Sequence, residues 1–362
     1  MSDDEFLSDD ELLADEDIFE DVQDFQSQGG TEGGLRGQIL EFMRDQLNDE
    51  AGPQLESEIV PIAGGSSQAH FAFTASWFNG TKRIKRQLIL RQEPASGIVQ
   101  ANMQLESVVL SAMRGGQIPI PLLQWSDLNA SYFDTRSLIF ERSRGEADRA
   151  VLRDKDPFSL GAEGRVDLAR SMAGLLAELH AMDPAEASLD LVMPYPDDAV
   201  MSEVNKWDYA VDRESLDPDG RLQPAREWLQ VNLQQAPGYL CLIHGDFRPA
   251  NILVDDGRIS ALLDWEMAHL GDPAEDVGWY TCSIYRTEHF PEGWSVEDFL
   301  ARYVDMGGPE LEPERVKFWQ VFAVFKLTVI ALRATRNVEA GITEGPPPPV
   351  DRLIEQLNAD IA

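Results

Sequence analysis

The stretch LIHGDFRPANILVDDGRISALLDWEMAHLGDP, Leu242 to Pro273, holds the carboxylate of Asp246, the amide of Asn251 five residues on, and a second carboxylate at Asp264. Between the last two, NILV and ISALLDW read as short strands, and Asp256-Gly257 is a two-residue hairpin signal. With that turn Asn251 faces Leu262, and Asp264 lies two residues further along the same face, a diagonal of about 7–8 Å between backbones. A slip of one residue would send Asp264 to the opposite face. An amide oxygen and a carboxylate are hard ligands suited to Mg2+, which takes its remaining oxygens from water and substrate phosphates. Asp246 precedes the hairpin and is free to face an incoming hydroxyl. The set asks for a nucleotide.

HGDFRPANIL followed by LLDWE resembles the catalytic loop and metal-binding segment of the aminoglycoside phosphotransferase and choline kinase family, relatives of the protein kinases. The similarity runs from about Val60 to Ala334. It implies an α+β, bilobal, protein-kinase-like fold and ATP with Mg2+ as cofactors. Asp246 would act as the base or orienting group for the acceptor hydroxyl, with Asn251 and Asp264 holding the metal ions at the nucleotide phosphates. Arg248 stands where related kinases place a basic residue that neutralises the transferring group, and His244 would brace the loop. The resemblance gives Asp276 a part in holding the loop, although Asp272-Pro273-Ala274-Glu275 also reads as a helix start with a capping box.

The first part of the chain supplies what a nucleotide needs. The strand QLILR ends at Arg91 and Glu106 follows on the next helix, matching the family's basic strand residue and its acidic partner, with Arg in place of the usual Lys. Gly64, Gly65, Ser66 and Ser67 lie between candidate strands, where backbone amides approach phosphate. Glu141 to Ser143 occupies the linker position, whose backbone would bond the adenine edge, and Phe140 would pack behind it.

The elements that must position these groups are legible from periodicity. Leu35, Ile39, Phe42, Met43 and Leu47 have helical spacing, and IVPIAGGSSQAHFAFTASWF with TKRIKRQLILRQ alternates like paired strands. A helix is expected between Val99 and Met113, a strand at SLIFERSRGE, and mostly helix thereafter. This divides the chain into an acidic tail (residues 1–34), an N-terminal nucleotide-binding lobe (35–143) and a C-terminal catalytic and substrate-binding lobe (144–362).

Composition bounds the function. The 362 residues carry a formal charge of −34. Thirteen Asp and Glu with no Lys or Arg fall in the first 35 residues, and without them the charge is −21. An acidic body of that kind disfavours nucleic acid and anionic membrane as partners. Two cysteines are too few for a disulfide framework, and the N-terminus lacks the basic flank and apolar block of a secretory signal, so a cytoplasmic protein is expected. FWQVFAVFKLTVIALRA, interrupted by Gln320 and Lys326, reads as a buried core helix.

The leading expectation is an ATP-dependent kinase acting on a hydroxyl of a small molecule. A protein kinase fits less well, because the chain has HGD for HRD, DWE for DFG, and no APE. A catalytically silent nucleotide-binding scaffold sits badly with an intact Asp246, Asn251 and Asp264. For the acceptor, the wording DWEMAHLGDPAEDVGWY resembles the kinase-like domain associated with acyl-CoA dehydrogenases, implying a hydroxyacyl thioester or another metabolic alcohol. The acidic body would suit a cationic aminoglycoside, so an aminoglycoside or macrolide phosphotransferase is the alternative. Acceptor contacts are sought around Trp207, Trp279, Tyr280, Tyr285 and Lys326. Composition is silent on oligomeric state.

Overall fold

Alternation of apolar residues dominates the first lobe. Phe73, Ala75 and Trp77 on one strand share a buried face with Leu88 and Leu90 on the next, and Gly80 turns the chain between them in the left-handed region. In the computed structural model, which describes residues 34–62, 69–93, 102–193, 195–235, 237–343 and 345–362, this hairpin is the centre of a six-stranded antiparallel sheet. The acidic tail, except for Gly34, and the Gly64–Ser67 loop lie outside the described residues.

The sheet comprises β1 (Gln54–Leu55), β2 (Val60–Ile62), β3 (Ala69–Asn79), β4 (Lys82–Gln92), β5 (Leu123–Asp127) and β6 (Ser137–Glu141). Its order is β1-β3-β4-β6-β5, with β2 also pairing β3. Helix α1 (Leu35–Leu47) lays Ile39, Phe42 and Met43 on the sheet beside Phe73, Trp77 and Leu88. Helix α2 (Met103–Ala112) crosses the other way: Met103, Val109 and Leu110 join the core of the helical lobe.

After β6 the chain is mainly helical: α3 (Gly161–Ala181), α4 (Ala199–Arg213) and α5 (Gln223–Val231) precede the strands β7 (Cys241–Ile243), β8 (Ile252–Asp255), β9 (Arg258–Leu262) and β10 (His269–Gly271). Then come α6 (Ala274–Thr281), α7 (Arg286–His289), α8 (Val296–Asp305), α9 (Pro313–Glu339) and α10 (Val350–Ile361). Strands β7 and β10 pair, as do β8 and β9. Helix α9 is the apolar stretch anticipated as a core helix, with Phe318, Trp319, Phe322 and Phe325 fully buried. It approaches α6 so closely that a Cβ on Gly278 would lie 2.5 Å from Trp319 Cβ.

The link between lobes is tied down. Glu146 and Val254 exchange backbone hydrogen bonds at 3.1 and 2.9 Å, placing the linker against β8. Gly145, at φ 93°, has no room for a side chain, because a Cβ would lie 2.5 Å from the Val254 carbonyl oxygen.

Candidate active site

Asp256 and Gly257, at φ 50° and 72°, make the expected hairpin turn, whose two positive φ values match type I′. The register then shifts. Asp255 pairs with Arg258 and Val254 with Ile259, but Leu253 pairs with Ala261 and Ile252 with Leu262, so a bulge falls at Ser260. Ser260 Oγ donates to the Arg144 carbonyl at 2.6 Å, and β8 carries the linker on its other edge, so tertiary contacts hold the bulge. Asn251 consequently stands opposite Leu263, whose N–H donates to the Asn251 carbonyl at 2.8 Å, and not opposite Leu262.

That is the slip which by alternation alone would misdirect Asp264. The backbone compensates: Asp264 adopts the left-handed region at φ 65°, ψ 63°, opening a 3-10 turn over Trp265–Met267. A turn conformation, costing about 1 kcal/mol or more for an L-residue, therefore aims the carboxylate in place of strand alternation. Burial first, and then the charge of Asp246, push the Asp264 carboxyl up, while Arg91, His244 and Arg248 pull it down. The predicted residues are thus brought together, by a different route.

Asp246 is held from several sides. Asn251 Nδ2 donates to its carboxylate at 2.7 Å and to its backbone carbonyl at 2.8 Å. That commits the amide nitrogen and leaves the Asn251 oxygen as its acceptor. Arg248 Nε lies 3.1 Å from the Asp246 carboxylate. His244 Nδ1 accepts the Asp246 N–H at 3.2 Å and its Nε2 donates to the Leu263 carbonyl at 2.8 Å. The histidine thus ties the Asp246 loop to the segment carrying Asp264.

Asp276 anchors the same loop. Its two oxygens accept the N–H groups of His244 and Gly245 at 2.7 and 2.8 Å, and His180 Nε2 approaches one of them at 3.2 Å. Burial opposes the charge, yet His180, His244 and the backbone N–H hold the Asp276 carboxyl below its ordinary value. The capping box expected from Asp272 and Glu275 does not form. Asp272 accepts the Ala274 N–H at 3.0 Å, but Glu275 turns away to His269 Nε2 at 3.0 Å. A half-buried, charged histidine is a stronger partner for that carboxylate than a backbone N–H.

In the first lobe Arg91 and Glu106 form a buried ion pair, as expected, with the guanidinium 5.3 Å from the Phe140 ring centroid. Burial lowers the Arg91 pKa, while the charges of Asp264 and Glu266 pull the other way. Glu141 closes β6; its carboxylate meets Arg86 at 2.9 Å and Gln124 at 2.8 Å. The N–H groups of Glu141 and Arg142 go to the carbonyls of Leu122 and Gln87, and Ser143 follows half-buried.

Sequence reasoning missed a charged cluster beside the loop. Lys326, fully buried in α9, donates to the Gly245 carbonyl at 3.0 Å and lies 3.6 and 4.0 Å from Glu275 and Glu203. Its ammonium sits 4.9 and 5.5 Å from the ring centroids of Trp279 and Trp207. His269 faces Glu275 and the Met267 carbonyl; although burial works against its charge, Glu275 and Glu203 raise its pKa to about 9. Glu203, His269 and Glu275 have the spacing of a metal set, but the charges of Lys326 and His269 already neutralise it. The signal was a lysine inside an otherwise apolar run. Of the other residues sought at the acceptor site, Trp279, Tyr280 and Tyr285 are core side chains, and Trp207, also largely buried, borders a cleft.

That cleft, about 790 Å3, opens between α4, α9 and the segment from Glu266 to His269, with Asn102 and Leu105 at its rim.

A family model described as the phosphotransferase enzyme family, APH, matches residues 58–319. The chain belongs to that family. Among curated members, acyl-CoA dehydrogenase family member 10 of Mus musculus is 24% identical over 263 residues, covering 68% of this chain and 24% of that protein. Family member 11 of the same species is 24% identical over 276 residues, covering 70% and 34%. The chain therefore spans about a quarter to a third of these relatives. Hygromycin-B 4-O-kinase of Escherichia coli is 33% identical over 73 residues, covering 18% and 21%.

Solved structures of the phosphotransferase family share the fold. A Ralstonia eutropha protein, a candidate aminoglycoside phosphotransferase, superposes with a TM-score of 0.66 at 17% identity, covering 90% of this chain and 97% of its own. A thermostable aminoglycoside phosphotransferase, APH(4)-Ia, solved with AMP-PNP and hygromycin B, gives a TM-score of 0.53 at 16% identity, covering 89% and 97%. The α+β, bilobal, protein-kinase-like architecture is that of the family.

Proposed function

We propose that the protein is an ATP-dependent phosphotransferase that adds the γ-phosphate to a hydroxyl of a small molecule. The observation that carries this is the convergence of Asp246, Asn251 and Asp264 from three separate local structures, facing the Arg91–Glu106 pair. Residues 35–143 hold the nucleotide and residues 144–362 the catalytic groups and the acceptor. Gly64, Gly65, Ser66 and Ser67 cover the phosphates, and the Ser143 amide, next to the committed N–H groups of Glu141 and Arg142, meets the base edge.

Mg2+ fits the donor set. The Asn251 oxygen and the Asp264 carboxylate are hard ligands that would hold the ion, and the repulsion between the Asp246 and Asp264 charges is of the kind a divalent cation would relieve. When bound, the ion supplies charge neutralisation at the phosphate oxygens. The residues of the chain do the rest. Asp246 orients the acceptor hydroxyl and accepts its proton as the oxygen attacks the γ-phosphorus; the new O–P bond forms while the bond to ADP breaks and ADP leaves with that electron pair. Arg248 and Arg91 neutralise charge on the phosphates, and Glu106 keeps Arg91 in place.

The curated relatives named as acyl-CoA dehydrogenase family members support a metabolic alcohol such as a hydroxyacyl thioester as acceptor; the fold likeness to antibiotic phosphotransferases keeps an aminoglycoside or macrolide as the second reading. A screen of ATP consumption over hydroxyacyl thioesters, aminoglycosides, macrolides and choline, run beside Asp246→Asn, tests both. Acceptor-dependent ADP release that falls about 10²- to 10⁴-fold in the variant is expected. Equal release by the variant removes Asp246 from catalysis.

A further inference from the structure

The cleft beside the loop has a charge at odds with the rest of the molecule. Its lining carries Lys206, Arg213, Arg333 and Arg336 against the carboxylates of Glu214 and Glu266, in a chain of formal charge −34. Three of these cations crowd one anion. Arg213 reaches Glu214 at 2.8 Å, Arg333 at 2.8 and 3.0 Å, and Arg336 at 3.1 Å, with a further bond from Arg336 to the Glu214 carbonyl at 2.8 Å.

One carboxylate balances one guanidinium, so two positive charges remain in excess at this wall. A structural clamp on the end of α4 requires only Arg333 and Arg336, which span from α9. Arg213 and Arg336 are about half-exposed, at 59% and 48% of their side chains, and each guanidinium has five N–H donors, of which Glu214 uses only some. Glu214 itself, pulled down to about 2 by Arg333 and Arg213 against the effect of burial, is a fixed anion that pre-organises the fork.

The aromatic faces point the same way. A cationic ligand would seek the rings of Trp207 and Tyr209, but the protein's own cations are already there: Arg333, Lys326 and Lys206 lie 5.3, 5.5 and 5.7 Å from the Trp207 centroid, and Arg213 lies 5.8 Å from that of Tyr209. The floor of the cleft, from Glu266 to His269, begins two residues beyond Asp264, and Glu266 is near enough to Asp264, Arg91 and Asp246 to feel their charges, which links this floor to the proposed phosphoryl-transfer centre.

We infer that the acceptor is an anionic alcohol, whose phosphate- or carboxylate-type group is held by Arg213, Arg333 and Arg336 at the α4–α9 wall of the cleft. This deepens the phosphotransferase reading and rests on it for the word acceptor; the oxyanion site itself stands on the cleft. It disfavours polycationic antibiotics as substrates despite the acidic body of the chain.

The test uses the full chain with two steps kept apart. Mg–AMP-PNP is titrated first; absence of binding counts against the phosphotransferase reading alone. The chain, with saturating Mg–AMP-PNP present, is then titrated at low salt with fructose 1,6-bisphosphate as the phosphate probe, tricarballylate as the carboxylate probe and kanamycin as the cationic probe. Binding of either anion, weakened roughly tenfold or more in the exposed-residue variant Arg213→Glu/Arg336→Glu and by added salt, is expected, and which anion binds tells the two sources apart. Binding of kanamycin in preference to both anions, no anion binding, or anion binding unchanged in a variant that keeps the wild-type melting temperature, overturns the inference.

Discussion

The carboxylate of Asp276 spans the backbone N–H groups of His244 and Gly245, at 2.7 and 2.8 Å, from the first turn of a helix that follows the loop by some thirty residues. The position of Asp246 thus depends on a residue that never meets substrate. Asp276→Asn replaces an acceptor with a donor facing two N–H groups and leaves His180 without its anion. A loss of about 1–3 kcal/mol in denaturant stability is expected, with turnover falling while the affinity for Mg–ATP holds. A variant with wild-type stability and turnover would show that the loop is held by other contacts.

Asp264→Ala should abolish Mg2+-dependent nucleotide binding more completely than Asn251→Ala, because the carboxylate is the stronger hard ligand. Titration of ATP with and without Mg2+ measures it. Equal Mg2+ dependence in wild type and the Asp264 variant would contradict the proposal that this residue, with its left-handed backbone, holds the ion at the phosphates.

Arg91→Ala should weaken ATP binding and turnover, since it removes a charge-assisted contact and leaves Glu106, 2% exposed, without its partner. Arg91→Lys should recover part of the loss, as a single ammonium can still pair with one carboxylate oxygen. Unchanged ATP kinetics in the alanine variant would take Arg91 out of the site.

His269 predicts a pH dependence. Its folded pKa of about 9 lies above the usual value of 6.5, so its contribution is complete below about pH 6.5 and is lost as the pH rises through 9. By linkage the contribution is at most about 3 kcal/mol. Melting temperatures of the wild type should fall between pH 6.5 and 9, and His269→Gln, already destabilised, should show a flatter profile over that window. Parallel profiles would mean that the imidazole is not charged beside Glu275.

Local signals carried the fold a long way. Helical spacing placed α1, α2 and α9, alternation placed β3 and β4, and Asp256-Gly257 marked its turn, because each depends on neighbours in sequence. The bulge at Ser260 was invisible, since the Arg144 carbonyl that holds it comes from the inter-lobe linker. Glu275 was misread for the same reason: its partners, His269 and Lys326, are chosen by how β10 and α9 meet. Asp246, Asn251, Asp264 and the Arg91–Glu106 pair were legible from motif wording, whereas the arginines around Glu214 had no motif and appeared only when α4 and α9 packed.

Gly278 gives the molecule a ruler. Helix α6 sends Asp276 to the loop and α9 sends Lys326 to it, and the closest approach between those two helices is set by the missing methyl where Gly278 meets Trp319. The proposed chemistry at Asp246 thus depends in part on a steric dimension at a position with no functional group of its own. A genetic screen for inactive chains should recover substitutions at 278 as readily as at the carboxylates, and truncating the indole at 319 should not rescue them, because the clash is with the Trp319 Cβ and the backbone of Trp319 and Gln320.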